Sequence, residues 1–195
     1  MRKIEREKIR LGVSACLLGE AVRYDGGHKR ATALLRAFGD DVAWIPVCPE
    51  VELGLGIPRP PIVLAGSPRA PRLIEPQQGR DLTVAMRRLA RARVRELARL
   101  GLDGVVLKSR SPSCGLRDVP VTGRAGRLRP GRGLFAAEVA RTLRGLPIED
   151  EARLADRRIR ARFVSRARAA AQRRATTASA ADSAERTQSA IPTPR

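Results

Sequence analysis

The chain has 195 residues, 43% of them hydrophobic and 30% charged, and its 39 Lys+Arg against 20 Asp+Glu leave a net charge of +19. That length suits one α/β domain, or one domain plus a tail, and the apolar content excludes disorder throughout. Three cysteines are too few for a disulfide scaffold, no apolar run nears the roughly 20 residues that cross a bilayer, and the charged start MRKIEREK is no signal peptide. The expectation is a cytoplasmic protein with reduced thiols and no membrane partner.

IRLGVSA (9–15) is short, apolar and bounded by charge, which predicts a buried strand. A turn signal follows at Tyr24-Asp25-Gly26-Gly27. Ala31, Leu34, Leu35 and Phe38 then recur at helical spacing before Gly39. VAWIPV (42–47) predicts a second strand. Residues 53–79, rich in Gly and Pro, predict an ordered but irregular excursion with strand pieces at 62–64 and 72–74. Asp81 or Thr83 can cap a helix running to about Leu100, with the stripe Leu82, Met86, Leu89/Ala90, Val94, Leu97 and a stop at Gly101. GVVLK (104–108) is a third strand, followed by the loop SRSPSCG (109–115). A Gly/Arg-rich loop (123–133), a helix from Leu134 to Leu143 and a short strand at 145–149 complete the pattern. Strands and helices alternate, so the predicted fold is α/β: one doubly wound, mostly parallel sheet with helices on both faces. The predicted domain spans 1–168. Residues 169–195 (Ala, Arg, Ser and Thr without apolar period) predict a disordered tail.

The charge is ambiguous. Only four basic residues are Lys (3, 8, 29 and 108); such an Arg bias follows from GC-rich coding, yet attraction to phosphate remains real. Aromatic residues are 3% of the chain, so a stacking platform for single-stranded nucleic acid is absent from the pattern.

The cysteines are the better lead. Cys16, Cys48 and Cys114 each follow a predicted strand, and loops at the carboxyl ends of parallel strands line one crevice. Four readings stay open from the residues alone: three unrelated buried thiols; a Cys₃His zinc site using His28, without the usual paired spacing; an iron–sulfur cluster with one iron left for a substrate sulfur; and a redox pair, weakened by the absence of C-x-x-C. Glu50, two residues beyond Cys48, can activate a water if burial raises its pKa, and Glu52 competes for that role. Ser111 and Ser113 can relay a proton or cap the next helix. Lys108 and Arg110 can neutralise a cluster or a phosphate.

SACLLGE-VRYDGGHKR, VCPEVELGLGIPRPP, QGRDLT, LKSRSPSCG and LPIEDEARL, in that order, resemble the bacterial thiouracil desulfurase family over residues 9 to 168. The resemblance implies a [4Fe-4S] cluster on Cys16, Cys48 and Cys114, with Glu50 and Ser111 catalytic; Lys108, Ser109 and Ser113, beside them in the same loop, are expected to touch substrate. It implies a non-redox desulfuration of thiouracil, 4-thiouridine or its phosphate, C=S becoming C=O with sulfide release. The phrasing RYDGGHKR and GLGIPR resembles a longer branch linked to 4-thiouridine in tRNA, whose additional C-terminal domain has no counterpart in this sequence. The alternative is an iron–sulfur or zinc-bearing protein that binds RNA or acts as a sensor without catalysis.

Overall fold

A computed structural model describes residues 8–189 of the chain, with side chains through residue 177. In chain order the elements are β1 (Ile9–Ser14), α1 (Thr32–Phe38), β2 (Val42–Val47), α2 (Pro49–Glu52), β3 (Val63–Ser67), β4 (Ala70–Glu75), β5 (Arg80–Asp81), α3 (Thr83–Arg99), β6 (Gly104–Leu107), β7 (Val119–Thr122), β8 (Leu128–Gly131), α4 (Leu134–Thr142), β9 (Ile148–Asp150) and α5 (Arg157–Ser189).

The apolar runs β1, β2 and β6 pair in parallel with β9 in the order β2-β1-β6-β9. Val105, Val106 and Leu107 are fully buried, as strands covered on both faces require. On one face lie Ala90, Val94 and Leu97 of α3 with Phe135 and Val139 of α4. On the other lie Leu34 of α1 and Phe163 and Ala167 of α5, with Phe38 edge-on to both Trp44 and Phe163 at 5.4 and 6.1 Å. The expected α/β class, with a parallel sheet between helical layers, is what the chain forms. From β1 the chain steps to β2 on one side and later to β6 on the other, so the strand order reverses between β1 and β6. Ligand crevices of open α/β sheets open at the carboxyl ends of such a pair.

The excursion at 53–79 is more regular than its composition implies. It joins β7 and β8 in a second sheet, β5-β4-β3-β7-β8, antiparallel except for β3 with β7. Alternation explains it: Leu73 of β4 and Val119 and Val121 of β7 are buried and pack with Leu64, Met86 and Leu134, while Glu75, also buried, pairs with Arg80. Neither expected residue is the N-cap of α3, which is Leu82; Asp81, one residue earlier, accepts from Thr83 N through Oδ1 at 2.9 Å, while Thr83 Oγ1 accepts from Leu73 N at 2.8 Å.

The tail needs correction. Residues 169–189, expected to be disordered, continue α5 to Ser189. Ala and Arg are strong helix formers even without a large apolar stripe. Phe163, Ala167 and Ala170 also place a buried seam at i, i+4, i+7, and Arg174 reaches back to the buried Asp103 at 3.0 Å. Residues 190–195 lie outside the described residues.

Candidate active site

Three strand ends build one crevice. β1 runs into a single 3-10 turn (Ala15–Leu17) that carries Cys16. β2 ends at Cys48, the residue before α2, whose first position is Pro49. β6 is followed by Lys108–Gly115, where Arg110 adopts a left-handed φ of 58° to turn the chain. Ser111 Oγ then accepts from the N–H groups of Ser113 (3.2 Å) and Cys114 (3.0 Å), and Gly115 N donates to Ser111 O at 2.8 Å. Two glycines let this loop pack. A Cβ on Gly115 would stand 2.3 Å from Val119 Cγ2, and one on Gly133 would stand 2.4 Å from Ser113 O.

The cavity between these loops has a volume of about 380 Å³, and Cys16, Cys48 and Cys114 all line it. A wider open cleft of about 680 Å³ between α3, α4 and the second sheet carries six arginines but no thiol. The three cysteines are unpaired, with Cys16 and Cys114 buried and Cys48 half-buried. Burial, followed by the nearby Cys48, pushes the Cys16 thiol up to about 11, with Lys108 and Arg23 opposing. Burial likewise raises Cys48, and raises Cys114 well above its ordinary value despite a hydrogen bond from Ser14. Ser14 also joins β1 to β6, its Oγ accepting from Lys108 N at 2.9 Å.

Glu50 faces the same cavity, but not as the isolated acid its position in the sequence implies. Arg59 donates to its Oε2 through Nη2 at 2.8 Å and Nε at 3.1 Å, and Ser113 Oγ donates to its Oε1 at 2.9 Å. The competitor Glu52 turns away: it accepts from Cys48 N at 3.3 Å and pairs with Arg93 of α3 at 3.2 Å. The serines divide their work. Ser113 is buried against Glu50, Ser111 lines the cavity while capping the loop, and Ser109 binds Glu151. Lys108 lines the cavity with its Nζ on Glu151 and on Ser109 Oγ at 3.0 Å. Glu151 also accepts from Ser109 N at 2.7 Å. His28 is exposed, its Nδ1 accepting from Arg30 N at 3.2 Å, and takes no part.

Sequence reasoning missed Arg59 and Glu151. Both come from segments remote from the groups they hold, and only their presence in GLGIPRPP and LPIEDEARL marked them.

Fold and site together define a class: an α/β protein whose topological switch point carries converging thiols beside a clamped carboxylate. The sequence model of the 2-thiouracil desulfurase family matches residues 11–151, and the chain belongs to that family. It is 30% identical over 130 residues to the uncharacterized protein YbbK of Bacillus subtilis (strain 168), covering 64% of this chain and 85% of YbbK. Among solved structures it resembles the [4Fe-4S]-dependent thiouracil desulfidase TudS. That match has a TM-score of 0.60 and 35% identity, and covers 77% of this chain and 94% of TudS.

Proposed function

We propose that the chain is a [4Fe-4S]-dependent desulfidase that replaces the C=S sulfur of thiouracil, 4-thiouridine or its phosphate with oxygen, using Cys16, Cys48 and Cys114 as cluster ligands. The observation that carries this reading is the convergence of all three thiols, from three strand ends, on the cavity that Glu50 and Ser111 also face. The donor set fits the group. Among the described residues no three His, Cys, Asp or Glu side chains gather tightly enough for a single metal ion. All three cysteines and no histidine line the cavity, and soft thiolate sulfur is the donor that iron–sulfur clusters take. Buried thiols with raised pKa values resist ionisation until a bound cation compensates, and Lys108 and Arg23 lie on the side that helps.

When bound, such a cluster supplies one iron without a protein thiolate, a Lewis acid that polarises the thiocarbonyl. The chain's own residues supply the rest. Glu50 accepts a proton from water, whose oxygen attacks the carbon as the C=S bond gives way. Ser111, accepting two backbone N–H bonds, keeps its own O–H free to donate toward the heteroatoms in transit. The balance is water plus C=S giving C=O plus hydrogen sulfide, with no electron transferred. Lys108, its Nζ held by Glu151 and by the Ser109 carbonyl and hydroxyl, lends its charge to the thiolates. Arg23, Lys29 and Arg110 line the same cavity and suit a nucleotide phosphate.

The test is anaerobic reconstitution with iron and sulfide, followed by sulfide release from 2-thiouracil, 4-thiouridine, its 5′-phosphate and thiolated tRNA. About four irons and three to four sulfides per chain, with turnover lost in Glu50→Ala, support the reading. Stoichiometric zinc, or a loaded cluster that turns over none of these, overturns it in favour of a binding or sensing role.

A further inference from the structure

Arg59 is the most enclosed cation of the crevice, its side chain 3% exposed, and none of its side-chain hydrogen bonds goes to the second sheet. Its donors go elsewhere. Nη1 binds Gly56 O at 2.9 Å, Nη2 binds Val22 O at 2.9 Å, and Nη2 and Nε both bind Glu50 Oε2. Its backbone N–H binds Tyr24 O at 2.9 Å, which fastens the 56–59 loop to the loop that follows Cys16. Opposite it, Ser113 Oγ holds Glu50 Oε1. Three donors on two oxygens fix the plane of the carboxylate, while 14% of the Glu50 side chain stays open to the cavity.

We infer that Arg59 is a positioning residue for Glu50: its guanidinium fork and the Ser113 hydroxyl grip the carboxylate from two sides and aim it at the water it activates. The inference rests on Glu50 being the base. Arginine suits this because a planar fork can serve a carboxylate and two carbonyls at once, which a lysine ammonium on a flexible stem does less well. Positioning of this kind matters to rate because small errors in the orientation of a base are multiplied in the barrier. Because Arg59 and Ser113 bond to the base itself, their loss is expected to show in kcat more than in KM.

The experiment is a double-mutant cycle on the full chain, cluster-loaded, with iron content and melting temperature measured for every variant. The variants are Glu50→Gln, Arg59→Met, Arg59→Lys, Ser113→Ala and Glu50→Gln combined with each Arg59 change. With 2-thiouracil, Arg59→Met is expected to lower kcat about 30- to 100-fold with KM within about threefold and iron content unchanged. Arg59→Lys should recover about a tenth to a third of the wild-type kcat, and Ser113→Ala should cost about tenfold. If Arg59 acts through Glu50, the double variants are no slower than Glu50→Gln alone, within about twofold. Losses that multiply in the double variants, or a rise in KM at constant kcat, overturn the role of Arg59. If Arg59→Met does not fold or load, Arg59→Lys carries the same cycle. Wild-type turnover by Glu50→Gln would instead sink Glu50 as the base, an outcome distinct from either result at Arg59.

Discussion

Gly133→Ala should loosen the site without touching any side chain in it. Gly133 has φ −61° and ψ 147°, a conformation open to any residue, so alanine meets no backbone penalty there. The obstacle is space: the new methyl would stand 2.4 Å from Ser113 O, 2.5 Å from its carbonyl carbon and 3.0 Å from Cys114 N. An ordinary contact begins near 3.4 Å, so the Ser113–Cys114 peptide or the start of α4 must shift by roughly 1 Å, as overpacking demands. That peptide is also held by α4, since Ala136 N donates to Ser113 O at 3.0 Å. Overpacking of this kind costs about 1–3 kcal/mol, from which about 0.4–1 kcal/mol is recovered because alanine restricts the unfolded chain. A 2.4 Å approach to backbone belongs at the upper end of that range, so the net loss is about 2–2.6 kcal/mol and the melting temperature of a chain of this length falls by roughly 4–10 °C. Circular dichroism on the apo-protein reads the stability, and iron content after reconstitution reads whether Cys114 still reaches its place. A Gly133→Ala variant with wild-type melting temperature and full iron content would show that the loop is free to move, and the packing argument would fail.

The remaining expectations concern capping, the C-terminal helix and acid. Hydrogen bonds from the Thr83 hydroxyl and amide, then the Arg72 guanidinium, lower the Asp81 carboxyl to about 2. A depressed acid contributes above its unfolded pKa, near 4, and loses that contribution as pH falls toward 2. Asp81→Asn should therefore melt below wild type at pH 5 and equal to it near pH 2; an equal gap at both pH values would refute the linkage. Removing residues 169–195 takes away Ala170 and the Arg174 partner of the buried Asp103. It should lower urea stability by about 2 kcal/mol or more, where a disordered tail would leave the midpoint unchanged. Ser111→Ala strips the acceptor from two backbone N–H groups, an expected loss of about 1 kcal/mol. Its kcat should fall further than that instability explains, which comparing turnover at 15 °C and 30 °C can separate.

The parallel sheet was legible because β1, β2 and β6 are near-continuous apolar runs, and α3 because Met86, Ala90, Val94 and Leu97 keep helical spacing. The second sheet was only half legible: β4 alternates, but β8 (LRPG) is mostly exposed and owes its place to pairing with β7. α5 escaped because its seam is largely alanine, which carries helix propensity but little hydropathy. At the site, the cysteines could be placed from strand ends alone. The environment of Glu50 could not, since Arg59 lies nine residues on and Ser113 sixty-three, and a pairing set by tertiary contact leaves no local periodicity.

The thiols are spaced by 32 and 66 residues, unlike the tightly spaced cysteine runs of ferredoxins. No short peptide cut from this chain contains the site, because it exists only once β2, β1 and β6 have come into register. Anything that binds all three sulfurs therefore favours the native sheet over every partly ordered state, and does so through contacts far apart in sequence. Cluster loading should then act as a rivet set after the plates are aligned. The apo-chain must find its topology unaided, and the loaded chain should resist local opening most strongly at the central strands.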